Sequence, residues 1–297
     1  MRYLAFGSCI ESDFDLGPLP TAESAPVVVS LQFSRVTELP VPRVAKIRTH
    51  RAQARDIETF AQGHDVYLQI EGLLQFHLEW KRDVLSCVAT PEASDTVVRY
   101  WILQHALPVF LLLSGRVDLL HAGAVVMDDS VVGFLAESGV GKSTLVGHFL
   151  SYGHQLCTDE HLALVRDKEG AVAPAIPYYR PGRDTEDLGR FVTGFSPEPR
   201  PLRALYLLQP APAEDPVMVE ELRGMAAASV LLEYSQCTLA NPKVPSFRPI
   251  LQRRFEDLTR LSTTVPVRVL RVPRALDRLP EVYQHVCQDL GLKGAAH

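Results

Sequence analysis

Residues 136–144 read Ala136-Glu137-Ser138-Gly139-Val140-Gly141-Lys142-Ser143-Thr144, and their types and spacing suit the cradling of a phosphate chain. The pattern is an alanine or glycine, four free positions, Gly-Lys, then serine or threonine. Gly139 and Gly141 admit positive φ angles and close backbone approach to an anion, so successive N–H groups can converge on it. Lys142 supplies a compact positive charge for the β and γ oxygens, and the Ser143 hydroxyl is placed to ligate Mg²⁺. The expected phosphate-binding set is Ser138, Gly139, Val140, Gly141, Lys142, Ser143 and Thr144, with a nucleoside triphosphate as ligand.

A second group of candidates follows. Asp159 and Glu160 come one helix and one strand after Ser143, so the chain can return them to the mouth of the loop. Phosphoryl transfer to an alcohol needs a carboxylate near the hydroxyl, a metal on the phosphates and positive charge on the transferring group. One acid can take the hydroxyl proton while the other reaches the metal. The pair could equally hold a turn. His121 precedes the loop in an apolar strand, where a histidine is more often a satisfied core residue than a catalytic one. His154 and His161 carry less weight still. Arg180, Arg183 and Arg203 are candidates for phosphate contact, with a solvated surface position the plainer reading of each.

These residues need a scaffold. Val131 to Leu135 reads as a strand leading into the loop, and TLVGHFLSYG as a helix that adds its dipole to the site and closes at Gly153. Leu119 to Met127 precedes that strand across a turn at Asp128-Asp129-Ser130, giving a hairpin. Gln155 to Thr158 is a strand ending at the acid pair, and Leu162 to Arg166 with Ala171 to Ala175 form a second hairpin. Residues 176–202 look like a long irregular connection. Strand Leu205 to Leu208, helix Gly224 to Tyr234, helix Arg253 to Leu261, strand Val265 to Val272 and helix Leu279 to Leu290 complete an α/β core whose hairpins make its sheet mixed.

Upstream, residues 1–95 read as short strands broken by proline and glycine, a small β-rich N-terminal domain. The basic stretch 43–55 (RVAKIRTHRAQAR) could meet an acidic partner, but a solvated loop or short helix face is the plainer expectation. Residues 96–116 are a helical connection, which Pro108 is expected to kink or divide, and 117–297 are the nucleotide-binding domain.

The chain has 297 residues, 46% of them hydrophobic, a net charge of −5 and a sequence pI near 6.1. That balance offers nucleic acid and anionic membranes no general attraction. Five dispersed cysteines without a C-x-x-C pair point to reduced thiols in the cytoplasm. The first fifteen residues hold too short an apolar run for a secretory signal. The longest apolar region, Tyr100 to Ser114, falls short of the roughly 20 residues a bilayer requires and reads as buried.

Together, His121-Ala122-Gly123-Ala124-Val125, the loop ESGVGKST and Gly153-His154-Gln155-Leu156-Cys157-Thr158-Asp159-Glu160 resemble the nucleotide-binding core of HPr kinase/phosphorylase. The wider pattern is similar to stand-alone HPr-kinase-like serine kinases, some of which modify ribosomal peptides including lasso-peptide precursors. It includes FGSCIESDFDLGPLP, PLRALYLL and LTRLSTTVPVRVLRVPRALDRLPEVYQHV. The resemblance implies an α/β phosphate-loop core related to phosphoenolpyruvate carboxykinases, using ATP and Mg²⁺ to phosphorylate a serine of a peptide or protein, and assembly into homo-oligomers. It implies Asp159 as general base, Ser143 and Glu160 on the metal, and His121 beside the acid pair, with Lys142 on the transferring group. Thr144 stands where HPr kinases usually carry Glu, and Glu160 where a second Asp is common. The glycine-rich C-terminal signature of the bifunctional enzymes is not found, so phosphorylase activity is not part of the expectation. Two other classes suit the same loop: a nucleotide-gated binding module without efficient catalysis, and a small-alcohol kinase.

Overall fold

The computed structural model describes residues 1–22, 25–53, 55–165, 171–181, 185–195, 197–235 and 244–292. Its strands form two large sheets, one from each half of the chain. The first holds β1 (Arg2–Ala5), β2 (Ser8–Ser12), β3 (Val29–Arg35), β4 (Lys46–Ala52), β5 (Arg55–Gln62), β6 (Asp65–Ile70), β7 (Leu74–Glu79) and β8 (Val84–Ala89), in the order β1-β2-β3-β8-β7-β6-β5-β4. From β4 to β8 each strand pairs antiparallel with its chain neighbour. In β6, Val66, Leu68 and Ile70 are buried while Tyr67 and Gln69 between them are half-buried, the period of two that a sheet covered on one face requires.

The basic stretch 43–55 departs from expectation. Lys46–Ala52 is strand β4, and Arg55 opens β5. Its charges are matched across the hairpin: Arg51 lies opposite Asp56, and Lys46 Nζ meets Glu58 at 2.7 Å. Cross-strand pairing of opposite charges stabilises an arrangement that local propensity alone does not reveal.

Asp95 to Ser114 is one 20-residue helix, built of α1 (Asp95–Trp101), a π turn (Ile102–Ala106) and α2 (Leu107–Ser114). The Ser94 side chain caps it by accepting from Val97 N–H. Pro108 does not divide it. Proline has no N–H for the carbonyl four residues back, that of Gln104, and its ring crowds that carbonyl. The backbone widens just before it, Leu107 N–H donating to the Ile102 carbonyl, and the helix continues. The helix fills most of the expected 96–116 connection, and among the described residues it alone has the length and apolar character to cross a membrane. It is mostly buried, with Trp101, Ile102, Leu103 and Phe110 inaccessible.

The second sheet holds β9 (Val117–Met127), β10 (Ser130–Leu135), β11 (Gln155–Thr158), β12 (His161–Val165), β13 (Ala171–Ala173), β16 (Arg200–Ala211), β17 (Met218–Leu222) and β18 (Val267–Pro273). Between β13 and β16, β14 (Tyr178–Tyr179) and β15 (Arg190–Phe191) make a two-residue ladder. Asp128 and Asp129, at φ 47° and 59°, join β9 to β10 in the left-handed turn that matches strand twist. β10, β16 and β18 run parallel and the remaining pairs antiparallel, so the sheet is mixed. Helices α3 (Lys142–Ser151) and α6 (Leu279–Asp289) bury Val146, Phe149, Val282 and Val286 against Phe134, Tyr206 and Leu208. On the other face α4 (Met225–Glu233) and α5 (Arg248–Thr264) pack Leu231, Leu258 and Leu261 against Leu120, Leu135 and Leu205. A third apolar cluster is continuous from the first sheet through the long helix to Val117, Leu119, Ala175 and Phe247. Cys9, Cys87, Cys157 and Cys287 are free and buried, and Cys237 lies outside the described residues.

Candidate active site

β10 ends at Leu135 and α3 starts at Lys142, so residues 136–141 form the tight connection. Gly139 and Gly141 sit at φ +84° and +112°, and a Cβ built on either would meet nothing within 4 Å. The left-handed backbone needs glycine there, and the space beside it is open for an anion. The loop borders a cleft of about 310 Å³ lined by Ser138, Gly139, Gly141, Lys142, Ser143 and Thr144. Val140 borders a separate cavity on the loop's other side.

Lys142 is only 3% exposed. Its ammonium faces the carbonyls of Ala136 and Glu137 and, at 3.0 Å, His121 Nε2. An ammonium only donates, so this ring nitrogen accepts and the His121 proton sits on Nδ1.

The acid pair lies at the bend between β11 and β12. Thr158 Oγ1 accepts from the N–H groups of Glu160 and His161 at 3.3 and 3.2 Å, a local side-chain turn that fixes the bend. His161 pairs across the ladder with His121, and Ala122 N–H donates to the Glu160 carbonyl at 3.2 Å. Gly123 then closes the distance to the loop. A Cβ built on it would stand 3.8 Å from the Asp159 carbonyl oxygen, 3.9 Å from Lys142 Cβ and 2.8 Å from Val146 Cγ2. Two elements can approach this closely only because no side chain separates them. Gly147 does the same on α3: a Cβ there would lie 2.2 Å from the Tyr179 hydroxyl, which instead donates to the Ser143 carbonyl at 2.7 Å.

Arg180 is not the surface arginine the sequence suggested. It is 5% exposed, and its backbone N–H donates to Asp159 Oδ2 at 3.0 Å. Its guanidinium stacks 4.9 Å from the centre of the Tyr100 ring and donates to the Tyr100 hydroxyl and the Thr185 carbonyl. Tyr100 in turn contacts His105 Nε2 at 3.2 Å. Burial pushes the Tyr100 hydroxyl up to about 12 and holds His105 down at about 3 against the opposing charge of Glu160, so His105 is neutral and its Nε2 accepts from Tyr100. His161 Nε2 donates to the Gln104 carbonyl at 2.8 Å, the very carbonyl that Pro108 cannot serve. The first sheet also reaches this point. Phe6, in the turn between β1 and β2, gives its N–H to the Ala175 carbonyl at 3.1 Å and borders a small cavity with Asp159, Glu160, His161 and Arg180. That cavity has room for about one water molecule, near 10 Å³.

Lys142 thus meets His121 through its ammonium, and the Asp159 backbone comes close to Lys142 across Gly123, while Asp159 itself lines the small cavity with Glu160. Ser143 and Glu160 are on different cavities, Ser143 on the open cleft and Glu160 on the small one. His154 is on the far side of α3, 3.0 Å from the Tyr283 hydroxyl. Arg203 points to the opposite edge of the sheet, where it donates to the Leu290 carbonyl and pairs with Asp128, and Arg183 lies outside the described residues. Tyr100, Gln104 and His105 escaped the sequence reading because the helix looked uniformly apolar. Their signal was a glutamine and a histidine inside that run, four and three residues before Pro108.

No family model matches this chain, and no curated protein matches it. Among solved structures it is similar to the Hpr(Ser) kinase/phosphatase from Coxiella burnetii, at 14% sequence identity, over 58% of this chain and 97% of that one, with a TM-score of 0.31.

Proposed function

We propose that this chain is an ATP-dependent kinase that transfers the γ-phosphoryl group to a serine hydroxyl of a peptide or protein. The observation that carries the reading is the open glycine loop with Lys142 at its base, where His121 meets the Lys142 ammonium and the Asp159 backbone packs close across Gly123. The open space beside Gly139 and Gly141 suits a phosphate chain, and Lys142 would exchange the loop carbonyls for phosphate oxygens. Asp159 would take the proton of the attacking hydroxyl as its oxygen bonds to the γ-phosphorus, the bond from that phosphorus to the bridging oxygen breaks, and ADP departs. Mg²⁺ would supply charge neutralisation on the phosphates when bound; Ser143, on the open cleft, is the residue placed to hold it, whereas Glu160, which the sequence resemblance puts on the metal, lines the separate small cavity and would have to turn toward the cleft to reach it.

The cavity beside the acid pair has room for one water. A serine side chain and a free small alcohol meet the same limit there, so the choice of acceptor rests on the sequence resemblance. A ribosomally made precursor peptide is the acceptor class that the sequence resemblance implies.

The test is phosphopeptide mass spectrometry on a serine-rich peptide mixture incubated with the protein, ATP and Mg²⁺, beside Lys142→Ala and Asp159→Asn. New phosphoserine lost in both variants supports the reading. ATP binding with no phosphopeptide would replace it by a nucleotide-gated binding module.

A further inference from the structure

β10, β16 and β18 are parallel, so their carboxyl ends share one edge of the sheet. In open α/β sheets that edge is where ligands settle. A second cavity of about 360 Å³ lies there, on the side of the glycine loop away from the acid pair. It shares Gly139, Gly141 and Thr144 with the phosphate-sized cleft, and its far walls are the ends of β16 and β18. Its size is within the range of small-molecule pockets, about 300–1,000 Å³. We infer that this cavity seats the base and sugar of the nucleotide and does so by shape and apolar contact, so that purine nucleoside triphosphates differing only at the base edge bind alike. The inference rests on the nucleotide reading of the loop given above.

The chemistry of the walls carries it. Val140, Leu145, Leu208, Val272 and Leu279 present apolar surface. Pro210 and Pro273 have no N–H to offer. The N–H of Arg274 is already given to the Ala211 carbonyl at 3.0 Å, and that of Ala275 to the Pro273 carbonyl at 2.8 Å. Adenine is told from guanine by a complementary donor and acceptor at its edge, and large discrimination arises only where buried polar groups would be left unpaired by the wrong ligand. Thr144 and Arg274 are the polar side chains of this lining. Thr144 is on the loop helix, and Arg274, exposed at the mouth, can cover either purine with its guanidinium face. Leu276, 74% exposed at the rim, is positioned to cover a flat ring.

Calorimetric titration with excess Mg²⁺ tests this on wild type, Ala275→Trp, which fills the cavity, and Leu276→Ala, which alters only an exposed rim residue. The ligands are ATP, GTP and inorganic tripolyphosphate. Wild type should bind ATP and GTP within about fivefold of each other. Ala275→Trp should weaken both at least tenfold and leave tripolyphosphate unchanged, which also shows that the loop is folded. Leu276→Ala should weaken both nucleotides about threefold and tripolyphosphate not at all. ATP and GTP affinities that differ by more than a hundredfold, or that neither variant alters, would overturn the inference while leaving the loop reading intact. A wild type that binds none of the three ligands would overturn the loop reading and this inference with it.

Discussion

The two sheets solve different problems with similar numbers of strands. In the first, β4 to β8 pair in chain order through hairpins, and the residues that matter are the buried face of each strand. In the second, β16 lies parallel to β10 and β18, which enter the chain about seventy residues before it and about sixty after. The first sheet has parallel neighbours too, β2, β3 and β8, while β4 to β7 return the chain at both edges through hairpins; the difference lies in what the parallel edge of the second sheet carries. Parallel strands need crossovers and leave their carboxyl ends together. The glycine loop, Lys142 and the apolar cavity all lie at that shared edge. The first sheet brings Phe6 beside the acid pair, and Arg55 of β5 pairs with Glu186, whose carboxylate also accepts from Trp101.

If that division of labour is right, substitutions in the two sheets should separate cleanly. Asp159→Asn should lower the rate of phosphoryl transfer about 10²- to 10⁴-fold, the span of a lost general base, while ATP affinity stays within about threefold. A full transfer rate would remove Asp159 from its assigned role. Phe76→Ala, in the buried face of β7, should cost about 3–5 kcal/mol of stability by denaturant unfolding and leave nucleotide affinity of the folded protein unchanged. A matching loss of affinity would show that the first sheet is more than a support.

Gly147→Ala addresses the join between α3 and the ladder at Tyr179. The added methyl meets the Tyr179 hydroxyl at 2.2 Å, so overpacking of about 1–3 kcal/mol should exceed the helix-propensity gain of about 1 kcal/mol. Adding Tyr179→Phe should restore part of the loss, and an alanine that stabilises the protein outright would contradict the packing described. The smallest effect is with pH. His105 is neutral when folded, at about 3, against an ordinary 6.5, so below about 6.5 the unfolded state binds the extra proton. Its contribution is fully present above 6.5 and is lost progressively as pH falls toward 3, with a slope of at most about 1.4 kcal/mol per pH unit. Denaturant midpoints at pH 7 and 5 should therefore differ less in His105→Gln than in wild type.

Local signals made much of the second sheet legible. The glycines and Lys142, the Asp128-Asp129 turn and the run from α3 through β11 to the acid pair are all encoded within a few residues of one another. What stayed hidden depended on distant partners. β4 looked like a solvated basic run because the acids that match it are in β5. Arg180 looked like a surface charge because Tyr100, on which it stacks, lies 80 residues earlier. Ser143 could be named from its loop motif and Glu160 only through the resemblance, and the side of the bend Glu160 faces depends on Thr158 and the β9 ladder. Pro108 announced a disturbance in its helix but not its form.

That disturbance has a consequence for insertions and deletions. A π turn is an α-helix carrying one residue more than its hydrogen-bonding period needs, and each helical residue turns the chain by about 100°. Removing one residue between Ile102 and Leu107 would take away the wider turn and leave Pro108 crowding the carbonyl four residues before it, to which it cannot donate. Because the wider turn already absorbs the extra residue, Tyr100 and Trp101 would keep nearly their present phase against Phe110, but the Gln104 carbonyl would lose the open geometry in which it accepts from His161. Reading-frame-preserving deletions in this short segment should therefore lower the activity of the whole protein without improving the helix, so the irregularity is what lets one helix hold both a proline and a carbonyl that the site uses.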